Sequence, residues 1–269
     1  MSRRIAPGRL ALWAYGLLVV VFLLAPIVII AGVSFDHSTL FEFPPKQWSL
    51  RWYATLFASR EWREAFLLSL WLAAGVTFLS LLFGVPAAYA LARGRFPGQA
   101  AVEFFLVSPI VVPVIVLALG FYVLFAPLGL VGRPSGLLLA HTVIAMPVVI
   151  VIVRAAFRRT DPKIELAARA CGASFGRMFW HVALPAVRPA VISGGAFAFL
   201  TSFDEVVLAL FLGGPQAATL PKRIWEAVKF ELDPSLTAIS TLLAVLTIAV
   251  LVVAEFAGRR RRPPAAKES

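Results

Sequence analysis

Long apolar runs separated by short polar segments dominate the chain. Six of these runs hold about 20 or more predominantly apolar residues, which is the length a helix needs to cross a hydrocarbon core about 30 Å thick. The runs are approximately 10–33, 65–92, 101–126, 135–157, 188–212 and 236–258. The pattern predicts an all-α integral membrane protein with six transmembrane helices. No polar segment is long enough for a separate soluble domain, so we predict a single transmembrane domain over residues 1–269.

The composition agrees with this prediction. The chain is 60% hydrophobic and 14% charged, and its mean hydropathy is +0.88, whereas soluble domains are about 45–50% apolar and about 25% charged. The single cysteine, Cys171, excludes an internal disulfide and a cysteine-based metal cluster. The sequence contains no GxxxxGK[ST] phosphate-binding loop and its three histidines have no ligand spacing. We therefore expect no ATP, other cofactor or metal to bind to this chain itself.

The positive charges predict the orientation in the membrane. Seventeen Lys and Arg residues lie in one set of alternate polar segments: the N-terminus, 93–100, 154–188 and the C-terminus. Eight lie in the other set: 34–64, 127–134 and 213–235. Because cytoplasmic segments carry the excess of Lys and Arg, both termini are predicted to be cytoplasmic. Membrane topology accounts for the net charge of +11, so we expect no nucleic-acid partner.

The cytoplasmic loop 158–187, between the fourth and fifth spans, is amphipathic. It contains TDPKIELAARACGASFGRMFWHVALPAV, in which apolar or small residues recur at helical spacing: Ile164, Ala167, Ala168, Cys171, Phe175, Met178, Phe179 and Val182. This stripe predicts helices that bury one face against the protein and leave the other face available.

Local signals divide this loop into two short helices. Asp161-Pro162 suits a helix start, Gly172 a helix end, Ser174 a second start and Leu184-Pro185 a second end. A helix lying on the lipid surface is the alternative. The alanine-rich face and the break placed by specific residues favour docking to a protein partner instead.

The loop resembles the EAA motif of ABC-importer permeases, roughly EAAxxxGxxxxxxxxx[IV]xLP. Residues at the motif spacing are Ala167, Ala168, Gly172, Val182, Leu184 and Pro185, and Ala173-Ser174 follows the family habit after the glycine. The motif's glutamate position holds Leu166, and Glu165 lies one residue earlier. The segments WSLRWYATLF, FDEVVLALFLGGP and ATLPKRIWEAVKFELDPSLTAISTLL are similar to the second permease of spermidine/putrescine-type importers.

The resemblance implies a type I ABC-importer permease in the bacterial inner membrane, a transport subunit rather than an enzyme. It further implies a homologous second permease, a homodimer of ATPase subunits that carries ATP and magnesium, and an extracytoplasmic substrate-binding protein, all working in a lipid bilayer. The loop would be the coupling helix that docks in a cleft of the ATPase. The implied coupling residues are Glu165, Leu166, Ala167, Ala168, Gly172, Ala173, Ser174, Leu184 and Pro185.

Two acidic residues in the predicted fifth span suggest a substrate pathway. An acidic side chain near the middle of a membrane helix costs about 2.5–3.5 kcal/mol or more, so it faces the protein interior or water. Thr201 precedes Asp204 by three residues and Glu205 by four, so the three would form a polar stripe on a helix. A carboxylate there would suit a cationic polyamine. A salt bridge or helix-end hydrogen bond with the partner permease is the alternative.

Three other kinds of function are alternatives to a polyamine importer. Related permeases share most of these motifs, so an opine, an amino phosphonate or ferric ion is an alternative substrate. An intramembrane enzyme using Asp204 and His141 would lack a convincing nucleophile–base pair, and we expect His141 to be a helix-end residue. A secondary transporter acting alone would not depend on an ATPase.

Overall fold

The computed structural model describes residues 7–38, 42–214, 217–230 and 234–259, with side chains from 12 to 256 in these ranges. Their structure is helical. In chain order the helices are α1 Pro7–Val33, α2 Arg51–Ala58, α3 Arg60–Arg93, α4 Gln99–Val107, α5 Val114–Phe125, α6 Pro134–Arg159, α7 Pro162–Ala170, α8 Phe175–Met178, α9 Leu184–Ala186, α10 Arg188–Phe203, α11 Val207–Leu212, α12 Leu220–Phe230 and α13 Ser235–Arg259. A 3₁₀ turn, Ser108–Ile110, follows α4, and a π turn, Phe179–Ala183, joins α8 to α9.

Four uninterrupted helices confirm four of the predicted spans. Helices α1, α3, α6 and α13 are each long and apolar enough to cross a membrane. They correspond to the predicted runs 10–33, 65–92, 135–157 and 236–258, and differ from them by at most five residues at either end. Prolines Pro86 and Pro147 lie inside α3 and α6 without ending either helix.

The third predicted span, 101–126, is not one straight helix. Its two halves, Gln99–Ile110 and Val114–Phe125, meet at an angle of 102°. Pro109 lies in the 3₁₀ turn and Pro113 immediately precedes α5. Proline lacks a backbone N–H and disfavours helical geometry in the residue before it, which accounts for the break.

The fifth predicted span, 188–212, is also interrupted. Helix α10 ends at Phe203 and α11 begins at Val207. At its other end, α10 meets the segment Phe175–Ala186 at an angle of 77°. When each bent pair is counted as one span, the described ranges hold up to six candidate spans.

The chain divides into two compact units, and the prediction of a single domain stays a prediction. The first unit comprises residues 1–63 and 226–247. Within it, the segment after α1 folds back on itself: the His37 N–H donates to the Gln47 carbonyl (3.0 Å) and the Ser49 N–H to the Phe35 carbonyl (2.7 Å). The hydroxyls of Ser34 and Tyr53 lie 2.7 Å apart, which ties the end of α1 to α2.

The second unit comprises residues 64–225 and 248–269. Its core joins α3, α6, α10 and the loop between α6 and α10 through these buried residues: Val76, Val85, Ala88, Leu91, Ala145, Val149, Ile150, Val153, Phe157, Met178, Phe179, Ala183, Val187 and Ala198. The helices approach closely because small residues lie at the crossing. A Cβ on Gly194 of α10 would lie only 3.6 Å from the Val149 Cα of α6.

Candidate functional site

The loop between α6 and α10 has the predicted helix–break–helix form. Asp161 is the N-cap of α7: its side chain accepts a hydrogen bond from the Lys163 N–H (2.9 Å), and Pro162 is the first residue of the helix. An N-cap side chain of this kind satisfies a backbone donor that the helix leaves unpaired. The predicted start of the first helix is confirmed.

A left-handed glycine reverses the chain after α7. Gly172 has φ +86°, and the Ala173 N–H donates back to the Ala168 carbonyl (3.1 Å). The Ser174 side chain then accepts from the Arg177 N–H (3.4 Å) and starts the second helix. The predicted helix end at Gly172 and helix start at Ser174 are both confirmed. They were predictable because each depends on local backbone geometry.

The second helix runs further than predicted. It continues through the π turn and includes Leu184 and Pro185, ending at Ala186 instead of at the Leu-Pro pair. Pro185 lies in the first turn of α9, where its missing N–H costs little. The chain then bends at Val187 into α10.

The predicted apolar stripe does not bury as one face. Met178 and Phe179 are buried, and Ala168 and Val182 are half-buried, as expected. Ile164, Ala167, Cys171 and Phe175 are exposed, so the expectation is wrong for this half of the stripe. The physical reason is that an acidic residue takes the inward position of α7.

Glu165 is this inward residue, with only 8% of its surface exposed. Its Oε1 accepts hydrogen bonds from Arg93 Nε (3.0 Å) and Nη2 (2.9 Å). Its Oε2 accepts one from the Tyr89 hydroxyl (2.9 Å). Neither Arg93 nor Tyr89 stands out in the sequence, where Arg93 contributes only to the excess of positive charge.

The next residue points away from the core. Leu166, at the motif's glutamate position, is 66% exposed. We define the coupling surface as five exposed residues of this loop that are apolar or small: Ile164, Leu166, Ala167, Cys171 and Phe175. Exposed basic residues, Lys163, Arg169 and Arg177, lie among them in the chain. Exposed apolar side chains edged by polar residues are typical of a protein-docking site.

The second candidate site lies at the break between α10 and α11. The helix ends before Asp204, so Thr201, Asp204 and Glu205 do not form a stripe on one continuous helix. The Glu205 carboxylate instead accepts hydrogen bonds from the Val207 N–H (2.7 Å) and the Leu208 N–H (3.0 Å), which caps α11. Asp204 is exposed and Thr201 half-buried.

His141 lies close to this break in the folded chain. It is fully buried inside α6, contrary to the expectation of a helix-end residue. Its Nδ1 lies 3.0 Å from the Ser202 hydroxyl, two residues before Asp204. Sequence periodicity could not identify this pair, since its members are 61 residues apart. Among the described residues, no group of three or more His, Cys, Asp or Glu side chains could hold a metal ion.

Contacts within the second unit bring alternate polar segments together. Arg93 reaches Thr160 and Glu165, which joins the 93–100 side of α3 to the α6–α10 loop. The Gly132 N–H donates to the carbonyl of Leu212 (2.7 Å), which joins segment 127–134 to the end of α11, one residue before segment 213–235. These contacts agree with the alternation of the polar segments.

Comparison with known proteins gives consistent matches. A family model described as "Binding-protein-dependent transport system inner membrane component" matches residues 80–263. The putrescine transport system permease protein PotI of Escherichia coli (strain K12) is 35% identical over 245 residues, covering 88% of this chain and 86% of that protein. The spermidine/putrescine transport system permease protein PotC of Haemophilus influenzae is 32% identical over 247 residues, covering 92% and 96%.

A solved structure has a similar fold. It belongs to a bacterial ABC transporter involved in the import of the acidic polysaccharide alginate. The TM-score is 0.75 at 18% identity, and the match covers 95% of this chain and 98% of that chain.

Proposed function

The chain belongs to the family of binding-protein-dependent transport system inner membrane components, and from that premise we propose that it imports a polyamine, putrescine or spermidine, as one permease of an ATP-driven complex. It is a transport subunit, not an enzyme. The proposed partners are an ATPase homodimer, a homologous second permease and an extracytoplasmic substrate-binding protein. ATP and magnesium would be held by the ATPase.

The coupling surface is the observation that carries this proposal. Its apolar side chains, Ile164 and Leu166 above all, are held away from the core because Glu165 occupies the inward position of α7. Burying such side chains in a partner's cleft is favourable at about 25 cal/mol per Å² of apolar area. A permease that depends on an ATPase for energy needs a rigid exposed element of this kind, through which conformational changes of the ATPase are transmitted to its spans.

The proposed orientation places both termini and the coupling surface in the cytoplasm. The excess of Lys and Arg on one set of alternate segments supports it. The contacts of Arg93 and of Gly132 support the alternation on which that count depends.

The proposed docking is tested with a charge on the coupling surface. We expect Leu166→Asp to weaken binding of the purified ATPase at least about tenfold, because each 1.4 kcal/mol of lost contact is a factor of ten. Leu128→Asp, which changes a residue of similar exposure in segment 127–134, is the matched control. Binding is measured by titrating the ATPase onto the permease pair in nanodiscs. Equal affinity for wild type and Leu166→Asp would contradict docking at this surface.

The polyamine assignment is supported by the identities to PotI and PotC and by the exposed carboxylate of Asp204. We expect Asp204→Asn to lower uptake of labelled putrescine about tenfold, the effect of losing about 1.4 kcal/mol of charge interaction, and Asp204→Glu to retain more of it. Uptake is measured in cells that carry the complete transport operon. No polyamine uptake by wild type would overturn the substrate and favour an opine, an amino phosphonate or ferric ion.

A further inference from the structure

The inner end of α3 is fastened to the coupling loop by four side chains, which we name the inner clamp: Tyr89, Arg93, Thr160 and Glu165. Arg93 holds Glu165 through two N–H groups and, through Nη2, also donates to the Thr160 hydroxyl (2.7 Å) and carbonyl (3.0 Å). The Tyr89 hydroxyl donates a hydrogen bond to the other carboxylate oxygen of Glu165. The clamp therefore joins α3 to the end of α6 and to the first helix of the loop.

The clamp is largely shielded from water. The side chain of Arg93 is 16% exposed and that of Glu165 is 11% exposed. A charge pair this buried is screened little by salt, and the loss of one partner leaves the other charge without compensation. Fork-shaped hydrogen bonding by arginine also restrains the angle between the two helices, not only their distance.

The ring of Tyr89 adds a second connection. Its centroid lies 5.2 Å from Phe157 at the end of α6, 5.9 Å from Phe175 and 5.2 Å from Phe179, each at a steep interplanar angle. Edge-to-face aromatic pairs at these distances are favourable. One residue of α3 thus contacts the second helix of the loop while its hydroxyl holds the first. Both arms of the hinge around Gly172 are tied to α3.

We propose that the inner clamp makes α3 move as one body with the coupling loop, so that the motion of the ATPase reaches this span as well as α6 and α10. Arg93 and Glu165 are then positioning residues for energy coupling. Transmission through a rigid body requires a link that does not yield when the loop is displaced. The chain connects α6 and α10 covalently to the loop, whereas α3 is joined to the loop by the clamp and by non-directional apolar packing in the shared core.

This inference rests on the proposed function, and the experiment separates the two. The reconstituted complex is compared as wild type, Arg93→Glu, Glu165→Arg and the double charge exchange. The measured quantity is substrate transported per ATP hydrolysed, in complexes whose subunit stoichiometry is verified. We expect each single variant to lose at least about fivefold in this ratio, the lower range of typical coupling effects, and the double exchange to recover a substantial part of the loss.

Controls keep the test decisive. Arg95→Glu reverses an exposed charge two residues beyond α3 and should leave the ratio unchanged. If the charge variants fail to assemble, the milder variant Tyr89→Phe is tested instead. It removes a single hydrogen bond and should lower the ratio about twofold to threefold, the lower end of what one net hydrogen bond contributes. Single variants that assemble and couple like wild type would overturn the inference. ATPase affinity that Leu166→Asp leaves unchanged would instead contradict the proposed docking at the coupling surface, whatever the clamp variants do.

Discussion

At the residue scale, Gly172 shows how much of the hinge is a backbone requirement. An added Cβ there would have no atom within 4 Å, so space is not the constraint. The constraint is φ +86°, which costs an L-residue about 1–2 kcal/mol and a β-branched residue more. Asparagine tolerates this conformation better than other residues.

We therefore expect Gly172→Val to lower the substrate-stimulated ATPase activity of the complex while the chain still inserts in the membrane, and Gly172→Asn to have a clearly smaller effect. Activity is measured in proteoliposomes with the binding protein and substrate added. Equal losses in the two variants would mean that the left-handed conformation is not what matters at this position.

At the residue scale, the features that the sequence predicts are those that depend on neighbouring residues. The caps at Asp161 and Ser174 depend on neighbours within three residues, so the sequence predicts them. The partner of Glu165 is 72 residues away. No spacing rule selects Arg93 from 25 Lys and Arg residues, so the clamp required the tertiary structure.

At the element scale, the break between α10 and α11 reassigns Glu205. Its carboxylate caps α11 from the residue before the N-cap, Val206, and loss of a capping acceptor costs about 0.5–2 kcal/mol. Hydropathy predicted a continuous span over 188–212 because apolar composition measures length and not straightness. Prolines alone do not locate such breaks: Pro109 and Pro113 lie at the bend of the third span, whereas Pro86 and Pro147 lie inside uninterrupted helices, since prolines are tolerated in membrane helices.

The capping role makes a distinct prediction. We expect Glu205→Gln, which keeps an acceptor oxygen, to preserve thermal stability and uptake, and Glu205→Ala to lower stability by about 1 kcal/mol. The stability of both variants is measured by thermal unfolding of the purified complex, and their activity is measured by uptake in cells. If Gln is as damaging as Ala, the negative charge itself is required and the capping explanation fails.

At the scale of the whole molecule, the sequence predicts that consecutive polar segments lie on alternate sides of the membrane, because successive spans must cross in opposite directions. The contacts of Arg93 with Thr160 and of Gly132 with Leu212 agree with it. The chain also carries its own reporter of sidedness, since Cys171 is its single cysteine and is exposed on the coupling surface.

We expect a membrane-impermeant maleimide to label Cys171 in inside-out vesicles and not in intact spheroplasts, and bound ATPase to protect it. Labelling is measured by mass shift. A Cys171→Ser, Leu128→Cys variant is the matched control and should show the opposite sidedness. Labelling of wild type from the outside would reverse the proposed orientation.

The neighbouring positions 165 and 166 have a consequence for which complexes can form. Consecutive helical residues are rotated by about 100°, so a shift of one position decides whether an acid anchors the loop or meets the ATPase. Here an exposed leucine occupies the position where the motif carries its acid. We expect the cognate ATPase to present an apolar recess rather than a cationic group there. Subunits from importers that keep the acid would then exchange poorly with this one, which would insulate parallel transport systems in a single cell.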